Sequence, residues 1–100
     1  MVIKHLEEQN RFVAELDGFT ARLDYKIGNG GLDIRHTIVP QEIGGHGVAS
    51  ALVKAAADYA VANNLRPVAT CSYAVVWFKR HPEYNGIKSD DYAGEGCCVL

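Results

Sequence analysis

At Pro40 the spacing of apolar residues changes, and that change restricts the fold more than any other feature of the chain. Before it, Phe19, Ala21, Leu23, Tyr25 and Ile27 alternate with Thr20, Arg22, Asp24 and Lys26, and Leu32, Ile34, His36 and Ile38 alternate with Asp33, Arg35 and Thr37. A period of two is that of half-buried antiparallel strands with one face on a core and one in water. After it, Val48, Ala49, Leu52, Val53, Ala56, Tyr59 and Ala60 fall on one helical face, with Ser50, Lys54 and Asp58 opposite. The spacing predicts a helix of about five turns between His46 and Asn64. Sheet must give way to helix within a few residues, and Pro40, which has no N–H for a ladder, marks where.

Turn chemistry places the remaining elements. Asp17-Gly18 joins strands at 12–16 and 19–27 as a two-residue hairpin, and Gly28-Asn29-Gly30-Gly31 turns the chain into a third strand. Asn63-Asn64 suits a helix end. The apolar run Pro67 to Cys71 follows a helix and is expected to return parallel to the third strand by a right-handed crossover. Ser72 is placed to cap a last helix over 73–81, which Pro82 stops. The fold class expected is α+β: an antiparallel meander plus one parallel strand, with two helices on the sheet. Residues 1–88 form one domain, and 89–100 read as a flexible tail.

Between strand and helix lies Val39-Pro-Gln-Glu-Ile-Gly-Gly-His-Gly-Val-Ala-Ser-Ala-Leu52, with three glycines in four positions. Glycines let a backbone approach an anion with no Cβ in the way, and the first N–H groups of a helix have no internal partner. A phosphorylated ligand fits such a cradle. An ordinary strand-to-helix connection is the plain alternative, and the motif by itself does not separate the two.

Composition removes several classes. A chain of 100 residues with 48% hydrophobic content builds one core. The formal net charge is −2 and the ten Lys and Arg form no run, so nucleic acid is not an expected partner. No apolar window reaches the roughly 18 residues of a membrane span, and the N-terminal stretch turns acidic at once, unlike a secretory leader. A cytoplasmic protein, monomeric or weakly dimeric, is expected. Cys71, Cys97 and Cys98 make no disulfide framework and no zinc spacing, so Cys71 reads as a free thiol and no metal is expected.

Four ordered segments then carry a resemblance: His36-Thr37-x-Val39-Pro40, Gly45-x-Gly47-x-Ala49, Cys71-Ser72-Tyr73, and Trp77-x-x-x-His81-Pro82-Glu83-Tyr84. Together they look like the small single-domain branch of the GCN5-related N-acetyltransferases, over residues 12–85. The resemblance implies acetyl-CoA in a V-shaped opening between the third strand and the strand at 67–71. Backbone amides of Gly44, Gly45, His46, Gly47, Val48 and Ala49 would hold its pyrophosphate, and its pantetheine arm would run along Ile38, Val39 and Pro40. Tyr73, Lys79 and Arg80 are further candidate contacts, and the 81–84 segment would lie near the adenylate end or the substrate mouth. The family's Gln/Arg-x-x-Gly-x-Gly is Glu42-Ile43-Gly44-Gly45-His46-Gly47 here, so a cation beside the phosphates is missing.

Acetyl transfer needs a neutral amine, stabilisation of an oxyanion and a proton for the CoA thiolate. The family's Asn-x-x-Ala-x-x-x-Tyr pattern falls on Cys71, Ala74 and Phe78, and a Phe donates no proton. Cys71, just before a helix N-terminus, is therefore the expected acid or transient acetyl acceptor; its plain alternative is a packed thiol. His36 is the expected base or orienting group. Its parity with Leu32, Ile34 and Ile38 makes it a core residue unless a β-bulge re-aims it. The function expected is N-acetyl transfer to an amine, with a peptide or protein lysine among the candidate acceptors. An acetyl-CoA-binding module without turnover and an acyl-CoA thioesterase are the alternatives. Cys97-Cys98-Val99-Leu100 has the form of a prenylation site, but the acidic residues before it argue for an unmodified tail.

Overall fold

In the computed structural model, which describes residues 1–89 and the backbone of Cys98 and Val99, the expected architecture is present, with more strands than the sequence pattern suggested. The strands are β1 (Val2–Leu6), β2 (Arg11–Leu16), β3 (Phe19–Gly28), β4 (Gly31–Ile38), β5 (Arg66–Ala69), β6 (Ile87–Lys88) and β7 (Cys98–Val99); the helices are α1 (Val48–Ala62) and α2 (Ser72–Arg80). One mixed sheet runs β1-β2-β3-β4-β5-β6, and β7 joins β4 off this path. Neighbours from β1 to β4 are antiparallel, whereas β4-β5, β5-β6 and β4-β7 are parallel. Cys97 and Leu100 of the prenylation-like motif, and most of the tail, lie outside the described residues.

Local chemistry accounts for the joints. Asp17 and Gly18 both have positive φ (52° and 81°), as do Asn29 and Gly30 (52° and 75°), the backbone that a two-residue hairpin with right-twisted arms requires. At the end of α1, Asn64 is left-handed (φ 58°) and the Leu65 N–H donates to the Ala60 carbonyl at 2.8 Å, so the helix is closed by a residue that tolerates that region. Ser72 does not cap α2. Cys71 holds the N-cap position without a side-chain hydrogen bond.

α1 packs on β2 to β5, while α2 packs on β5, β6 and α1, so both helices cover one face of the sheet. Between them and the sheet lie Leu23, Leu32, Ile34, Leu52 and Val53, all fully buried, each contributing about 1.5–3 kcal/mol of apolar transfer. Ala56, Ala57 and Ala60 are also fully buried and let α1 sit close to the strands. The other face stays open and carries the alternating polar residues of β3 and β4.

β1 has no counterpart in the sequence reading because its five residues are exposed or half-buried and show no period. What fastens it is aromatic. His5 stacks on Phe12 at 4.0 Å and accepts or donates a 2.6 Å hydrogen bond with the Tyr25 hydroxyl, and Tyr59 of α1 meets the His5 ring edge-on at 4.4 Å. Burial lowers the pKa of His5 against the opposing pull of Glu7, and burial raises that of Tyr25, helped by Tyr59 and Glu7.

Candidate active site

The glycine segment folds as a cradle. A single 3-10 turn at Gln41–Ile43 leads to Gly44, after which Gly45 (φ 80°) and Gly47 (φ 74°) are left-handed and Gly47 is the N-cap of α1, with no side chain capping it. The first helical bond runs from the Ala51 N–H to the Gly47 carbonyl at 3.0 Å, so the amides of the first turn have no helical acceptor. These residues border a cavity of about 220 Å³ lined by Val39, Ile43, Gly44, Gly45, Gly47, Val48, Ala49, Ser50 and Tyr73. A Cβ built on Gly45 or Gly47 meets no protein atom within 4 Å. Open space therefore borders the amides, and a phosphate fits it.

The cavity brings together seven of the expected cofactor contacts, Val39, Gly44, Gly45, Gly47, Val48, Ala49 and Tyr73, and adds Ile43 and Ser50. Pro40 and His46 are not part of its lining, and His46 is exposed. Lys79 faces a separate cavity with Phe78, Gly86 and Ile87, and Arg80 is exposed and lines neither. Among the described lining residues there is no Lys or Arg, which leaves backbone dipoles as the cradle's positive end. Ser50 could have been noticed as the helix residue one turn in; its Oγ accepts a 2.9 Å hydrogen bond from Trp77 Nε1.

β4 and β5 pair from Gly31 with Arg66 to Ile34 with Ala69, and no further. At the last pair the Ile34 carbonyl accepts from both the Thr70 and Cys71 N–H groups at 3.0 Å. Beyond that point Thr37 and Cys71 face each other, with Oγ1 3.5 Å from Sγ, both fully buried.

Two expectations are decided here. A register shift between Asp24 and Tyr25 sets Asp24 opposite His36 and Tyr25 opposite Ile34, leaving Arg35 as the extra residue. Such a bulge reverses side-chain parity. His36 is accordingly exposed on the open face while Thr37 takes the buried position. The reading of Cys71 as a free thiol is corrected: it is disulfide-bonded. A disulfide sulfur carries no proton, so the Thr37 hydroxyl is the only possible donor between the two.

β7 bears on the arm expected along Ile38, Val39 and Pro40. It pairs Cys98 with Thr37 and Val99 with Ile38, and thus uses the edge of β4 that β5 has left. The segment from His81 to Tyr84 knits the helices together. The His81 ring stacks on Trp77 at 3.8 Å, and the Tyr84 hydroxyl donates to Asp58 Oδ1 at 2.6 Å, while Lys54 reaches the other oxygen at 3.0 Å. Burial raises the Asp58 carboxyl, but the hydrogen bonds from Tyr84 and Lys54 outweigh it and hold its pKa below the usual value. Phe78, where the family carries Tyr, packs so closely that a Cβ on Gly86 would lie 2.4 Å from its ring.

No group of three or more His, Cys, Asp or Glu among the described residues could hold a metal ion. None of the described helices is long and apolar enough to cross a membrane.

Comparison with known proteins identifies relatives of this chain. The family profile of the GCN5-related N-acetyl-transferases matches residues 11–87. Protein NATD1 of Bos taurus is 35% identical over 83 residues, covering 80% of this chain and 74% of the relative. Protein NATD1 of Danio rerio is 33% identical over 87 residues, covering 82% and 79%. The solution structure of a GCN5-like protein from Staphylococcus aureus superposes with a TM-score of 0.68 at 28% identity, covering 95% of this chain and 96% of the other. The profile spans the meander, the glycine cradle and both helices, and the chain belongs to the GCN5-related N-acetyltransferase family.

Proposed function

We propose that the protein transfers an acetyl group from acetyl-CoA to an amine acceptor. The observation that carries this reading is the cradle: left-handed Gly45 and Gly47 open the uncapped first turn of α1 onto a cavity walled by Val39 and Tyr73. Each of these walls lies two residues beyond the facing pair Thr37 and Cys71. Bound acetyl-CoA would supply the acetyl thioester. The amides of the first turn would hold its pyrophosphate, and the β4 edge at Ile38 and Val39 would take its arm. That edge is shared with β7, so binding competes with the β7 pairing.

His36, exposed by the bulge, is the base proposed to take the proton from the amine. Cys71 is proposed as the acid, and only a thiol can fill that role, so the disulfide must first be reduced by a dithiol. The cytoplasm, whose thiol pool keeps cysteines reduced, is the compartment that suits this chemistry.

The decisive experiment incubates the reduced protein with acetyl-CoA and a panel of amines and lysine peptides, followed by mass spectrometry, with Cys71→Ala and Gly47→Val alongside. Acetylated acceptor that vanishes in both variants supports the reading. Calorimetric binding of CoA without transfer would instead favour a binding module, the second reading, which Phe78 at the family's Tyr position and the oxidised Cys71 both recommend. Free CoA released with no acetylated acceptor would indicate hydrolysis.

A further inference from the structure

The face of the sheet that no helix covers holds a second cavity, about 460 Å³ in volume, and its lining includes Lys26, Asp33, Arg35, Arg66 and Lys88. Four of the ten Lys and Arg thus gather in one groove of a chain whose formal net charge is −2. Asp33 is the one carboxylate among the described lining residues. Asp33 is held by Arg35 Nη1 at 2.9 Å and by the Thr70 hydroxyl at 2.9 and 3.1 Å. That pair is neutral, and Lys26 and Arg66, both exposed, add positive charge beside it. Arg66 uses its Nε on the Asn85 carbonyl at 2.6 Å, a contact that fixes the guanidinium without neutralising it.

The groove leads to the place where β4 and β5 part. Arg35 Nη1 also reaches Thr70 Oγ1 at 3.3 Å, one residue beyond the last paired step of the two strands, and the next residue along β4 is the exposed His36. From Gly31, opposite Arg66, to His36 is five residues of strand, or roughly 16 Å at about 3.3 Å per residue. A ligand lying in the groove with its charges against Lys26 and Arg66 would bring a group that distance away to His36.

We propose that this groove docks the acetyl acceptor and selects an amine whose own molecule carries two or more negative charges, such as carboxylates or phosphates. The inference rests on the acetyl-transfer reading above. It separates this chain's acceptors from polyamines and from lysines in basic segments, which Lys26 and Arg66 would repel. Because the lining charges are solvated, the attraction is screened by salt and acts chiefly on recognition.

The test uses the full chain, reduced, and two fluorescent lysine peptides, one flanked by glutamates and one by arginines, with O-phosphoethanolamine as a small competitor. Anisotropy at low salt should show binding of the acidic peptide alone. The exposed pair Lys26→Glu with Arg66→Glu should lose at least tenfold of that binding and gain for the basic peptide, and Lys26→Gln, which adds no repulsion, should show a smaller loss. If only the small amine binds, with the same dependence on both variants, the anionic chemistry holds and its source is a metabolite. Equal binding of both peptides, or binding of the acidic one untouched by either variant, overturns the proposal. Acidic-peptide binding that the variants abolish, with no acetylation on adding acetyl-CoA, leaves the groove standing and removes the transfer reading instead.

Discussion

Two cavities of this molecule suit anions, and they are built from opposite materials. The cradle at the start of α1 offers backbone amides between left-handed glycines, with apolar walls and no Lys or Arg in its described lining. The groove on the open face has four side-chain cations and one carboxylate among its described lining residues. Amides are fixed by the helix that carries them, so the cradle's geometry is set before any ligand arrives and depends on the absence of side chains. The exposed cations act through charge on side-chain stems, so the groove's selectivity depends on charge and is weakened by salt.

The largest effect concerns the residue between the two cavities. If Cys71 is the proton donor, acetyl transfer by the disulfide-bonded protein should be slower than by the reduced protein by about 100-fold or more, the usual scale of a general acid. Timed mass spectrometry with and without a dithiol measures this, and equal rates would remove Cys71 from the chemistry.

Next in size, Gly47→Val puts a branched side chain where φ is 74° and where phosphate must approach. CoA affinity should fall by about tenfold or more, equivalent to roughly 1.4 kcal/mol, while acidic-peptide binding to the groove is unchanged. Loss of both would mean that the two cavities are not independent. Raising salt from about 0.05 to 0.5 M shortens the screening length severalfold and should weaken the groove's peptide binding severalfold.

A smaller change is expected on deleting residues 90–100. Two ladder pairings with β4 are lost, and with net backbone hydrogen bonds worth about 0.5–1.5 kcal/mol each, CoA binding to the reduced protein should tighten by a few fold. Unaltered affinity would show that β7 and the arm do not share the edge. The smallest effect is one of stability. Burial lowers the pKa of His5 in the fold, so the unfolded chain binds the proton more tightly. The contribution is complete above the ordinary histidine value near 6.5 and is lost as pH falls through the folded value. Melting temperature should drop on that interval in the native chain more than in His5→Phe.

Where the sequence was legible, local rules sufficed. Asp17-Gly18 and Asn29-Gly30 take the positive φ values their types favour, and the change of period at Pro40 separates strand from helix within a residue or two of the observed ends. The glycine turn ahead of α1 could be read for the same reason, since glycine conformations and a helix start are properties of a short segment. β1 was not legible because it has no buried alternation; its place depends on a ring cluster with partners at positions 12, 25 and 59. Nor could Lys79 and Arg80 be separated from the cradle by spacing, because which cavity a helix end faces depends on how α2 leans against α1.

By itself the sequence determined the meander, the helix after it and the glycine turn between them, since each follows from periodicity and turn chemistry within some fifteen residues, while the family was carried by the resemblance of four ordered motifs. Only the tertiary structure decided what those parts present to a ligand. The bulge at Arg35 turned His36 to the open face, Cys71 was fastened in a disulfide, and cations from β3, β4, β5 and β6 met in one groove. Each of these is a pairing between residues far apart in the chain, and such pairings are set by register and packing, which no local pattern encodes.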